Sequence, residues 1–380
     1  MIDFSFSSEQ ELIRDTAHRF AQKELLPKYG YWDKHNEFPA HLVAKMADLG
    51  FMGMTIPKKY GGQELERVSN GIVVEELAKG DFNLSILTFG LMGDVLTQHG
   101  TEEQREYWLP ALAQGKKILG ISLTETESGS DAGSIKTTAI RDGDEWVING
   151  EKSTTSIINA DGWLLLARTN PKDSGPKGIS CFLLTRDAPG LTLSTYQDLG
   201  GRVIPRGPIA LENVRLPLSS LLGDLDRGFP LIMNAFDYNR ALIGLMCLGA
   251  AEQTLDETIQ FAKQRKSFGR FITTNQGVSF PLAEAATYLE FGRWACYRVL
   301  WLRDQNLPHT KESAMVKWWV PKTCVEVIHT CLLVHGHYGY TQDFHVEQRL
   351  RDVLGWQIGD GTAQIQKLII ARHIIGREYV

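Results

Sequence analysis

The sequence predicts a multi-domain α+β protein with a helical N-terminal region, a β-rich middle of barrel or sandwich type, and a helical bundle at the C-terminal end. Three observations predict it. At 380 residues the chain exceeds the usual span of one hydrophobic core. Helical periodicity gives way near residue 117 to short apolar runs parted by turn dipeptides. Helical spacing returns at Gly228 and then persists. These changes predict domains at residues 1–116, 117–227 and 228–380.

In the first region, Ser8 followed by Glu11 reads as a capping box, and Ile13, Ala17, Phe20 and Ala21 then recur at helical spacing. Gly50 and Gly100 read as helix ends, Gly61-Gly62 as a turn, and Thr101-Glu102-Glu103 as the acidic start of another helix. In the middle region, Asp142-Gly143 and Asn149-Gly150 read as turns, with strands over 162–167 and 179–184. No long helical pattern intervenes before residue 228, which argues against βαβ units. Beyond it, Ala251, Leu255, Ile259 and Ala262 make one apolar face of a long helix. Pro171 to Pro176 reads as a polar loop.

Composition excludes more than it identifies. A formal charge of -5 gives no electrostatic case for nucleic acid. The five cysteines are scattered without a zinc spacing, and His335 and His337 lack an acidic or cysteine cluster to complete a metal site. There is no P-loop and no G-x-G-x-x-G after a strand. Asp3, Glu9 and Glu11 stand where a signal peptide would be basic and apolar, and no apolar run is long enough to span a bilayer. A cytoplasmic protein without membrane insertion is the expectation.

The stretch Leu123-Thr-Glu-Thr-Glu-Ser-Gly-Ser-Asp131, with Lys136-Thr-Thr-Ala and Asn149-Gly-Glu-Lys152, resembles the flavin- and CoA-contacting segment of acyl-CoA dehydrogenases. Four more blocks follow in that family's order: Asp237-Tyr-Asn-Arg240, Gln264-Arg-Lys-Ser-Phe-Gly269, Gly336-His-Tyr-Gly-Tyr-Thr341, and Gly359-Asp-Gly-Thr-Ala-Gln-Ile-Gln366. The resemblance therefore covers the whole chain. It implies a helical N-terminal domain, a middle β-domain, a C-terminal four-helix bundle, and a homotetramer built as a dimer of dimers, with FAD lying partly across a subunit interface.

Removing an α-proton from an acyl thioester needs a carboxylate base and stabilisation of the developing enolate. The family commonly carries that base as a Glu just before Gly-Thr, and here Asp360 stands there. Aspartate is one methylene shorter, and misplacement on that scale can cost about 100-fold in rate. The alternative is that Asp360 merely caps a helix. A second family position for the base, just before Arg240, holds Asn239, whose amide cannot serve. By alignment, Asp94 falls near the acyl cavity, where a carboxylate would act on a distal proton or bind a polar tail; a solvated or hydrogen-bonded structural role is the alternative.

The resemblance also implies roles for other residues. Leu123, Thr124 and Ser156 match flavin-ring contacts, while Thr154 replaces the family's ring-packing tryptophan. Arg265, Ser267, Phe268 and Gln276 match contacts to FAD held mainly by another subunit, and Gly336, Thr362 and Gln364 match further FAD contacts. Leu333 and His337 replace a usual Gln and Gly. Ser130, Asp237, Asn239, Arg240 and Gly361 match the substrate side, although Glu127 and Ser128 depart from the family's Ala-Gly. Arg372 falls on an apolar stripe and calls for an anionic or carbonyl partner.

The expected function is FAD-dependent α,β-dehydrogenation of an acyl-CoA, with hydride passing to flavin N5 and electrons then to an electron-transferring flavoprotein. The shortened base and Asp94 point to an alicyclic or bulky acyl group such as cyclohexane- or cyclohexene-carboxyl-CoA. Two alternatives remain: an oxidase of the same fold related to nitroalkane oxidases, and a flavin-binding scaffold that has lost its chemistry.

Overall fold

The computed structural model describes residues 5–173 and 175–380, so Asp3 lies outside the described residues. Helices α1 (Ser8–Phe20), α2 (Tyr29–His35), α3 (Ala40–Asp48), α4 (Arg67–Gly80), α5 (Phe82–Ser85), α6 (Leu91–His99) and α7 (Glu102–Ala113) come first. The capping box of α1 forms one residue earlier than expected. Ser7 Oγ accepts from Gln10 N, and Gln10 Oε1 accepts from Ser7 N. Glutamine completes such a box as glutamate does, so the register of the signature is ambiguous. The expected start of α7 holds, with Thr101 as its cap.

Strands β1 (Leu119–Ser122), β2 (Thr138–Asp142), β3 (Glu145–Thr155), β4 (Gly162–Arg168), β5 (Ile179–Thr185), β6 (Leu191–Leu193), β7 (Gly207–Pro217) and β8 (Leu221–Leu222) follow. They form one sheet in the order β6-β7-β3-β2-β4-β5-β8, with β1 pairing parallel to β4 off that path. Asp142-Gly143 opens the β2–β3 turn, with Gly143 at φ 62°. Asn149-Gly150 does not turn. It lies inside β3, where the register against β7 shifts between Ile148 and Gly150. Asn149 donates to Asn213 Oδ1 and accepts from Asn213 N, so the dipeptide is spent on a bulge.

β4 is buried along its whole length. Trp163, Leu165 and Ala167 join Trp146, Ile148, Ile209 and Leu211 in the core of the sheet, whereas Leu164 and Leu166 join the helical core. Covering on both faces explains an unbroken apolar run in place of alternation.

Helices α8 (Gly228–Gln264), α9 (Gln276–Asp304), α10 (Thr310–His335), α11 (Val346–Leu354) and α12 (Ala363–Ile374) complete the chain, with a small hairpin, β9 (Lys266–Ser267) and β10 (Arg270–Phe271), between α8 and α9. α8, α9 and α10 pack on one another and α12 lies on α10. Ala251, Leu255 and Ala262 are buried as the periodicity expects.

α4 enters this bundle, and Ser69 through Ala78 are buried without interruption. Two glycines permit the approach: a Cβ on Gly71 would sit 2.4 Å from Leu300 Cδ1, and one on Gly249 would sit 2.2 Å from Glu75 O. Asp352 of α11 ties the three regions together. It accepts from Tyr29 OH at 2.7 Å, Asn83 Nδ2 at 3.0 Å and the Gly201 amide at 2.7 Å. Among the described residues, no helix is long and apolar enough to cross a membrane.

Candidate active site

A cavity of about 120 Å³ opens where the three regions meet. The N-terminal helices contribute Leu87, Phe89, Leu91 and Met92, the sheet contributes Ile121, Ser156 and Ile157, and the bundle contributes Phe236, Asn239, Trp356 and Asp360. The walls are mainly apolar, which excludes water and strengthens any electrostatic interaction inside.

Asp360 reaches this cavity through an irregular turn. After α11 the chain makes a single 3-10 turn, Gly355–Gln357, then passes through Asp360 at φ 55° and Gly361 at φ 94° before α12 begins. Thr362 is the N-cap of α12, and no side chain makes a capping bond there. The capping alternative for Asp360 therefore finds no support. Asp360 Oδ2 instead accepts from Asn239 Nδ2 at 3.0 Å. Asn239 Oδ1 is buried without a partner among the described residues.

The turn is held from two helices. Gln366 Nε2 of α12 donates to the carbonyls of Asp360 at 3.2 Å and Gly361 at 3.1 Å. Lys317 Nζ of α10 donates to the carbonyls of Trp356 at 2.8 Å and Gly361 at 3.4 Å. Burial pulls the Lys317 pKa down to about 8, against the opposing charge of Asp360.

On the sheet side, Ser156 Oγ accepts from the Ile121 amide at 3.1 Å. The next residue, Ile157, has φ 51°. A β-branched residue is costly in the left-handed region and persists there only when its surroundings impose it. Two strained residues, Ile157 and Asp360, thus line one cavity.

Other expected residues fall near this centre. Asp237 and Arg240 pair at 2.6 Å on α8 beside Asn239, and Thr310 Oγ1 donates to the second oxygen of Asp237 at 2.6 Å. Burial lowers the Arg240 pKa, opposed by Asp237 and then Asp360. Thr124 lies on a segment bonded to that of Ser156, since its carbonyl accepts from Ser153 N at 2.9 Å and Ile121 O accepts from Ser156 N at 3.2 Å. Leu123 is buried, its carbonyl taken by the buried Lys152 ammonium at 3.1 Å.

The remaining residues are not brought to the cavity. Asp94 is 3% exposed and engaged by Arg67 Nη2 at 2.9 Å, and it does not line the cavity. Ser130 stands exposed on the loop after β1, and Thr154 is exposed on β3. Arg265, Ser267 and Phe268 project from the β9–β10 hairpin, with Phe268 fully open to solvent at φ 51°, and Gln276 is exposed at the start of α9. Gly336 is exposed at the end of α10, close to that hairpin, since the Arg265 guanidinium lies 6.0 Å from the Tyr338 ring. Thr362 is half-buried and Gln364 exposed on α12. His335 stacks on Phe261 at 4.4 Å, whereas His337 is exposed; Arg372 Nε lacks a hydrogen-bond partner among the described residues.

Two features escape the sequence reading. Lys317 carries a usable signal, a lone lysine inside the apolar run Ala314-Met-Val-Lys-Trp-Trp319. The left-handed backbone of Ile157 carries none, because isoleucine is among the last residues expected there.

Three family models match the chain: the acyl-CoA dehydrogenase N-terminal domain over residues 7–116, the middle domain over 120–214 and the C-terminal domain over 226–375. The chain is 37% identical to a probable acyl-CoA dehydrogenase, YngJ, of Bacillus subtilis, over 98% of this chain and 100% of that protein. Its fold is similar to butyryl-CoA dehydrogenase from Megasphaera elsdenii, with a TM-score of 0.95 and 28% identity over 98% of this chain and 100% of that one. It is similar also to PigA solved with FAD and proline, with a TM-score of 0.94 and 26% identity over 99% and 100% of the two chains.

Proposed function

This chain belongs to the acyl-CoA dehydrogenase family, oxidoreductases acting on the CH–CH group of acyl-CoA thioesters, and from that premise we propose that Asp360 is its catalytic base and that its acyl group is compact. The observation that carries the reading is Asp360 itself. Its carboxylate lines an apolar cavity, held by one oxygen to Asn239 and left free of any capping duty. A carboxylate so placed can take the α-proton of a thioester entering from the bundle side.

The residues present suit FAD as the partner of that base. Ser156 lines the cavity at the sheet wall, its Oγ engaged with the Ile121 amide and carbonyl, and Thr124 lies on the neighbouring segment, so two hydroxyl-bearing residues border the side from which the polar edge of a flat ring would be met. When bound, FAD accepts the hydride that leaves the β-carbon. We assign Arg265, Ser267, Phe268, Gln276 and Gly336 to the FAD of a second subunit. Their exposure, and their absence from the lining of their own chain's cavity, support that assignment. We further propose a cytoplasmic homotetramer that delivers electrons to an electron-transferring flavoprotein.

Arg240, steadied by Asp237, would receive the CoA side of the substrate, with Gly361 beside the base. The volume supports a compact acyl group. An apolar cavity of about 150 Å³ accommodates one benzene ring, and this one is smaller, at about 120 Å³. That scale fits a short chain better than a long fatty chain. The ion pair that Arg67 makes with the buried Asp94 takes Asp94 out of the chemistry in this reading. The organised surroundings of Asp360 speak against a scaffold without activity.

The test is anaerobic mixing of the flavin-loaded protein with straight, branched, cyclic and aromatic acyl-CoAs, read by loss of flavin absorbance. Short-chain thioesters are expected to bleach the flavin faster than long-chain ones, the cyclic and aromatic arms marking the upper limit of size, and Asp360→Asn is expected to abolish the bleaching. Bleaching by long straight chains alone would remove the compact-substrate reading, and an Asp360→Asn variant as fast as wild type would remove the base.

A further inference from the structure

We infer that Lys317 is a positioning residue for Asp360, its buried ammonium gripping both ends of the turn that presents the carboxylate while Asn239 fixes one carboxylate oxygen. The inference rests on the reading of Asp360 as the base.

The lysine is conspicuous for what it does not do. It is 1% exposed, and among the described residues it forms no ion pair. Burying a charge is costly unless its hydrogen bonds are well met, so an ammonium on the buried side of α10 calls for a reason. Its two acceptors supply one: the carbonyls of Trp356 and Gly361 bracket Asp360.

The bracketed turn needs holding. Asp360 at φ 55° and Gly361 at φ 94° are left-handed, and such a conformation survives when the surroundings over-determine it. Lys317 from α10 and Gln366 from α12 both bond carbonyls of this turn, and Asn239 from α8 bonds the side chain. A short carboxylate approached from three helices is prevented from swinging, and proton abstraction rewards a base that needs no reorganisation.

The experiment uses full-length, FAD-loaded protein and anaerobic bleaching at about pH 7 by butyryl-CoA or cyclohexanecarbonyl-CoA, whichever reduces the wild type faster. Lys317→Met should slow the rate roughly 10- to 100-fold. Binding of a non-reducible acyl-CoA thioether should stay at the wild-type level. Lys317→Gln, which keeps a donor on a shorter arm, should recover part of the rate and stay several-fold below wild type. If the Met variant does not fold, the Gln variant decides alone. A Lys317 variant with the wild-type rate per bound flavin, whatever its thermal stability, overturns the inference. Asp360→Asn is the control: if it bleaches like wild type, the base assignment fails and takes this inference with it, whereas an inert Asp360→Asn beside an unaltered Lys317→Met removes the inference alone.

Discussion

Asn239 donates its side-chain amide to Asp360 at 3.0 Å across 121 positions of sequence, joining α8 to the turn before α12. In the proposed reading of Asp360 as the base, the contact steadies an aspartate where glutamate is common in this family. The acid is held through its own carboxylate and through the carbonyls of the turn beneath it. Aspartate also tolerates the left-handed region better than most residues, so the shorter side chain and the φ of 55° belong together.

Asp94 separates a structural carboxylate from a chemical one. Its pair with Arg67 is buried on the acid side only, and Arg67 keeps Asp304 at 4.0 Å as a second partner, so the loss should fall below the roughly 3–5 kcal/mol of a fully buried pair. Asp94→Ala should therefore lose about 1–3 kcal/mol in denaturant unfolding, while the flavin-normalised bleaching rate stays within a few-fold of wild type. A stable but slow variant would return Asp94 to the reaction.

Asp81 should make stability depend on pH. Burial raises its pKa from 3.8 to about 7, with one oxygen accepting from the Leu84 amide and the other unpaired. The folded state thus holds a proton that the unfolded state releases, and the contribution of Asp81 to stability falls as pH rises from about 4 through about 7. Asp81→Asn keeps the acceptor and never ionises. Its melting temperature, measured against wild type, should show no gain near pH 4 and a growing gain towards pH 8; a constant difference would contradict the argument.

The β9–β10 hairpin tests the placement of the cofactor between subunits. Arg265 is exposed, so Arg265→Ala should change the stability of the unloaded fold by no more than about 0.5 kcal/mol. FAD should nevertheless dissociate roughly 10-fold more readily, because a planar fork that pairs with phosphate oxygens is lost. Unchanged FAD affinity by equilibrium dialysis would detach the hairpin from the cofactor.

Much of this was legible from the residues, for physical reasons that differ by element. Period and punctuation placed the helices of both ends, because Gly50, Gly100 and the Thr101 cap act within a few residues of themselves. The Asn149-Gly150 error shows the limit of such local signals: the same dipeptide suits a hairpin turn or a bulge, and pairing with Asn213 on β7 decides. Asp360 was found through its neighbours in sequence. Lys317 and Ile157 were not, because a buried ammonium is justified only by carbonyls far along the chain, and a left-handed isoleucine only by what surrounds it.

The depth at which α4 sits has a consequence for how the protein can be divided. The composition breaks near residues 117 and 228 look like places to cut, yet a fragment starting at Gly228 would present an open helix-wide slot where Ser69 to Ala78 belong, with Arg293 and Tyr297 deprived of Glu75. Such a fragment should clump or recruit a substitute segment. Inheritance and engineering alike are then confined to handling the whole polypeptide as one mechanical part.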